Sequence, residues 1–146
     1  MNKKGFTLIE LLATMVILAL ISSVAIPNVI KIMSNNKKEK ILNDGLTIIA
    51  QAKKKVSSDF DLRESIDETG VTYTLQILDS YNDINNDPDG TAYDRTNSSV
   101  KITKNNGVIK YCAYLESEKW ILKNNASCVF EEQLLTDNAK NYVNEK

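Results

Sequence analysis

Apolar residues are distributed along this chain in two quite different ways. Residues 6–30 are apolar, small, hydroxyl-bearing or amide-bearing around the whole circumference of a helix, and Glu10 is the one charged side chain among them. Beyond that run the pattern becomes one-sided: Ile41, Gly45, Ile48, Ile49, Ala52 and Val56 follow at spacings of three and four, which places a small-to-apolar stripe along one helical face. Pro27 lies between the two patterns. The spacing predicts that the helix resumes after the proline and continues to about Val56.

Residues 57–70 read as a connector with a short helical element, because Phe60, Leu62 and Ile66 are the apolar groups among many acids. In residues 71–77, Val71, Tyr73, Leu75 and Ile77 alternate as in a strand, while Leu75, Leu78 and Tyr81 also suit a helical face, so both readings stay open. Residues 82–90 form a polar loop ending in Asp87-Pro88-Asp89-Gly90, in which proline presets φ and glycine permits closure. Asn105-Asn106-Gly107 between Val100/Ile102 and the β-branched and aromatic run 108–115 is a hairpin signal. Turns at 117–119 and at Asn124-Asn125 then lead into Trp120-Ile121-Leu122 and into residues 127–130, an expected antiparallel meander of about four strands. Leu135, Ala139 and Tyr142 suggest a short terminal helix after the last strand. The expected fold class is α+β, a long helix packed by its second half on a small antiparallel sheet.

Length decides what the first segment does. Residues 6–26 at about 1.5 Å rise each span roughly 30 Å, the hydrocarbon thickness of a bilayer. A secretory signal peptide would also follow Lys3 and Lys4, but its apolar core is shorter and ends at a small-x-small cleavage site, which residues 19–23 offer only weakly. The expected organisation is a leader over residues 1–5, a membrane segment over 6–27, an amphipathic half-helix over 28–56 and a head over 57–146. The 146 residues fit one compact core plus this anchor.

Charge adds a second asymmetry to a chain whose formal net charge is −1. Residues 31–55 hold seven lysines against Glu39 and Asp44, whereas residues 56–146 hold nine basic against sixteen acidic side chains. An acidic head disfavours nucleic-acid binding. The basic stem fits a solvated face near lipid phosphates, or one that meets the acidic heads of neighbouring copies. The lysines on both sides of the span do not orient it by the positive-inside rule.

Lys3-Lys4-Gly5-Phe6-Thr7-Leu8-Ile9-Glu10-Leu11-Leu12 resembles the processing signal of type IV pilins and pseudopilins. The resemblance covers residues 1–30, including Pro27; the head matches only in general plan. It implies that a prepilin peptidase/methyltransferase cuts after Gly5 and methylates the new amino terminus on Phe6. It also implies a single-pass membrane precursor of bacterial type, with the amino terminus inside, that an assembly machinery builds into a homo- or hetero-oligomeric surface filament of the kind serving adhesion and motility. The residues are compatible with that transfer, since a residue without a side chain at Gly5 allows close backbone approach.

A carboxylate at Glu10 is costly in hydrocarbon and needs compensation. An amine on Phe6 would lie four positions earlier, and a stagger of roughly 6 Å between two helices would set one amine beside the next carboxylate. Protonation or snorkelling near the membrane edge is the simpler alternative. Pro27 removes a donor from the Ser23 carbonyl, so a kink or local melting is expected over residues 23–27, or else termination of the helix.

Cys112 and Cys128 lack CxxC spacing, and the chain has no histidine to complete a zinc set. In an exported domain a disulfide is the favoured reading, with buried thiols the alternative. Asn85, Asp87, Asp89 and Gly90 partly echo a calcium loop, but Thr96 stands where a bidentate acid belongs, and a solvated turn explains them as well. No metal site, cofactor or catalytic constellation is expected, and the function is structural rather than enzymatic. Two other functions fit the same residues: a pseudopilin of a secretion or DNA-uptake system, and a monomeric, signal-anchored binding domain.

Overall fold

The computed structural model describes residues 5–78, 84–125 and 127–146. The chain divides into two compact units, Met1–Asn36 and Lys37–Lys146. One helix, α1 (Leu8–Ser58), supplies most of the first unit and the opening element of the second. It runs through Pro27, which therefore neither ends the helix nor melts it. The cost of the missing donor is confined to the Ser23 carbonyl, and one residue on the Asn28 side-chain amide donates to the Val24 carbonyl at 3.1 Å.

In the second unit the stripe anticipated from spacing is the buried face: Ile41, Leu42, Gly45, Ile48, Ile49, Ala52 and Val56 are all buried. At Gly45 the helix approaches β4 closely: a Cβ there would lie 2.7 Å from Leu122 Cδ2 and the leucine side chain would have to shift. After α1 comes α2 (Phe60–Ser65), capped by the Asp59 carboxylate accepting from the Leu62 amide at 3.0 Å. The stretch open to two readings is divided between them, as strand β1 (Val71–Thr74) followed by a helical turn α3 (Leu75–Leu78). Tyr81, Asn82 and Asp83, named in the helical-face and loop readings, lie outside the described residues, as do Lys3 and Lys4.

Strands β2 (Ser99–Asn105) and β3 (Val108–Glu116) form the hairpin expected at Asn106-Gly107. Both turn residues have positive φ, 49° and 79°, the geometry that matches the twist of the flanking strands and selects Asn-Gly. Next come β4 (Trp120–Leu122), β5 (Val129–Phe130), the turn α4 (Glu131–Leu134), a 3₁₀ turn at Ala139–Tyr142 and β6 (Val143–Glu145).

The sheet order β1-β2-β3-β4-β6 corrects the expected four-strand meander. Strand β5 does not pair with β4 but returns to β3. The physical reason is length: β4 takes only Leu115 and Glu116 of the nine-residue β3, which leaves Cys112 and Ala113 to pair with Phe130 and Val129. The short helical turns near the C-terminus are present, and a further strand, β6, follows them and pairs with β4. One buried cluster joins the α1 stripe to Val100, Ile102, Ala113, Leu115, Trp120, Leu122, Val129 and Val143 from the inner face of the sheet.

Candidate functional site

Thr7 and Glu10 build the start of α1 together. The Thr7 amide and hydroxyl donate to Glu10 Oε2 at 2.9 and 2.8 Å, and the Glu10 amide donates to Thr7 Oγ1 at 3.4 Å. This is a capping box, in which two side chains satisfy amides that a helix start leaves without partners. The sequence reading singled out Glu10 but missed Thr7, although Thr-x-x-Glu ahead of an apolar run is a legible signal for it. In a single copy, then, the carboxylate closes onto its own helix end. A second copy seeking it must compete with the Thr7 amide and hydroxyl.

Everything around this carboxylate is apolar and open. Phe6 is 84% exposed, and Leu8, Ile9, Leu12, Met15, Leu18, Ile21 and Val24 are all more than half exposed. Gly5 is exposed, with open space where a Cβ would stand. Among the described residues α1 is the one helix long and apolar enough to cross a membrane. Such a surface is unstable in water and requires cover by lipid or by other chains.

The remaining sequence-predicted residues lie in the second unit. Cys112 and Cys128 form a disulfide with Cα atoms 5.4 Å apart, joining mid-β3 to the residue before β5. That bridge sits beside the Cys112–Phe130 pairing and fixes the return of the chain to β3.

The polar loop ending at Gly90 is an exposed turn at Asn85, Asn86, Asp89 and Gly90, but Asp87 departs from the solvated reading. Asp87 is 2% exposed, its Oδ1 accepting from the Asp89 and Thr91 amides and its Oδ2 from Ser117 Oγ at 2.7 Å. Asp89 Oδ1 accepts from Lys37 Nζ at 2.5 Å and Oδ2 from the Trp120 indole at 2.6 Å. The Lys37 ammonium beside Asp89, followed by the Trp120 donor, holds the Asp89 carboxyl below the usual carboxylate range. Lys40 adds a bond to the Asn86 carbonyl at 2.7 Å, and the Tyr93 hydroxyl donates to Asp44 at 2.8 Å. The side chains that echoed a calcium loop thus strap the loop to α1 and to β4, each Asp87 and Asp89 oxygen already taking a protein donor. Among the described residues no group of three or more acidic, histidine or cysteine side chains is arranged to hold a metal ion.

Residues 1–26 match the family model described as the prokaryotic N-terminal methylation motif. No curated protein and no solved structure matches the chain. The matched segment contains Gly5, Phe6, the Thr7–Glu10 capping box and most of the exposed apolar helix. The amino terminus thus carries the prokaryotic N-terminal methylation motif, the type IV pilin and pseudopilin signature, ahead of an α+β head.

Proposed function

We propose that the chain is a structural subunit of a type IV pilus-like surface filament. A prepilin peptidase/methyltransferase cuts the precursor after Gly5 and methylates Phe6, and the membrane holds the subunit by residues 6–26 until assembly. The observation carrying this reading is the methylation motif on a helix whose apolar circumference is wholly uncovered over residues 6–33, with one carboxylate in it. In the filament that surface is buried against other copies, where small and apolar side chains pack as they would in lipid.

Assembly gives Glu10 its second role. Cutting after Gly5 frees an amine on Phe6, one residue before the Thr7 amide that the carboxylate caps in the single copy. An arriving neighbour presents its own amine, and a charged donor replaces the neutral cap. The exchange selects the axial stagger at which amine and carboxylate meet. Pro27 already leaves the Ser23 carbonyl without its helical donor, so extending α1 there breaks one bond fewer than elsewhere along the helix.

The test is the intact mass and amino-terminal sequence of the protein from membrane and sheared-surface fractions. The expected species begins at methylated Phe6 and is found in both fractions. A chain beginning at Met1 in membranes alone would overturn the reading in favour of a simple anchored domain. Processed protein confined to short, non-surface assemblies would place it among the pseudopilins.

A further inference from the structure

Two features of the head are complementary to one another and lie at different levels of α1. The first is a cleft of about 330 Å³ lined by Lys53, Val56, Ser57, Arg63, Ile109 and Tyr111. Its walls are apolar, from Val56, Ile109 and the Tyr111 ring. Lys53 is already paired with Glu131 and lies over Tyr111, 5.4 Å from the ring centroid. Arg63 makes no ion pair among the described residues and is therefore the available cation of the cleft.

The second feature is the turn after α4. Leu135 is 69% exposed, the most exposed leucine among the described residues of the head, and Asp137 two residues on is exposed with no ion pair among the described residues. Both stand beside Glu39, Leu42 and Leu46 of α1. An apolar side chain and a free carboxylate are what a cleft with apolar walls and a free guanidinium would accept.

The placement on α1 makes the match intermolecular. Leu46 and Lys53 are seven residues, or about two turns, apart, so the two sets of α1 residues occupy one flank of the helix. Their centres on α1 are separated by about 13 residues, roughly 20 Å of helix, so a chain cannot fill its own cleft with its own turn. A second copy displaced along the axis of α1 brings its Leu135–Asp137 end toward the Arg63 end of the first. Such a contact joins two different patches, and repeated it propagates as an open filament instead of closing a dimer.

We infer that Leu135 and Asp137 of one copy dock into the Val56–Arg63–Ile109–Tyr111 cleft of the next, with Asp137 on the Arg63 guanidinium, giving a head-to-head contact. This rests on the filament reading above and adds to it a contact that the helical core does not supply.

The experiment places a photoreactive amino acid at position 135 of the full-length chain and maps the cross-linked peptides in membrane and filament fractions. The expected product links residue 135 of one copy to peptides containing residues 56–63 or 109–111 of another. Arg63→Glu should lower its yield about tenfold, as removal of one partner of an interfacial charge pair does, and Arg63→Glu with Asp137→Arg should restore it. An unchanged head melting temperature in the single variants excludes misfolding as the cause. Cross-links mapping elsewhere in intact filaments, or a yield indifferent to Arg63→Glu, would overturn the docking and leave the filament reading standing. An unprocessed chain with no filaments and no inter-copy product would overturn both.

Discussion

The two halves of α1 use the same kinds of apolar side chain and do opposite things with them. From Leu8 to Met33 the large apolar side chains are all more than half exposed, whereas from Ile41 to Val56 the apolar stripe is buried. The difference lies in what surrounds them, since Glu10 and Lys31 are the charged residues of the first half, whereas lysines and acids leave the second half only a stripe. An apolar surface on every side cannot be covered by one small head, so it needs a continuous environment of lipid or neighbouring helices. A stripe needs only the inner face of a sheet. Cover divides the same way: the second half is buried by its own head, and the first is left exposed.

The sharpest way to break that comparison is at Glu10, the one acidic residue of the first half. Glu10→Ala should leave a processed, membrane-resident protein with surface filaments lost, scored by electron microscopy of sheared fractions. Thr7→Ala removes the local cap and leaves the carboxylate, so it should assemble filaments. If both variants failed alike, helix-end stability rather than pairing between copies would be the role of Glu10.

The halves should next separate in the head's thermal stability. Leu122→Ala removes a fully buried side chain that touches the Gly45 position and should cost about 2–5 kcal/mol. Leu18→Ala, in the exposed half, should leave the head's denaturant midpoint unchanged. Loss of the Cys112–Cys128 bridge in a double serine variant should cost about 3 kcal/mol by chain entropy for its 16-residue separation. The same unfolding curves measure it.

The smallest effect concerns the strap between α1 and the loop. Asp89 is held below its ordinary value by Lys37 and Trp120, so its contribution is fully present above the unfolded carboxylate range and disappears as pH falls through the lower folded value. Asp89→Asn should therefore flatten the acid side of the head's stability profile while leaving processing after Gly5 unaffected. A melting temperature as steep in acid as that of the wild type would assign the slope to other carboxylates.

Much of this was legible in residue order. The Asn106-Gly107 hairpin follows from turn chemistry, and the α1 stripe from period alone, because both depend on neighbours within four residues. The capping box at Thr7 was legible by the same standard and was overlooked beside the charge at Glu10. The loop ending at Gly90 is a turn, as its proline and glycine indicate, but its side-chain partners were not legible. Asp87 and Asp89 look like unpaired acids because their partners, Lys37, Ser117 and Trp120, lie 30 to 52 positions away in the chain.

The sequence by itself determined the apolar amino-terminal helix, the methylation motif, the helix-then-sheet plan and the hairpin, since each is written in local spacing or a contiguous motif. Only the tertiary structure decided that β5 returns to β3, that β6 closes the far edge of the sheet, and that Arg63 faces a cleft while Leu135 and Asp137 stand exposed at another level of α1. Those outcomes depend on which distant segments reach one another once the core has formed. Period and composition carry no record of that, because they report only on neighbours along the chain.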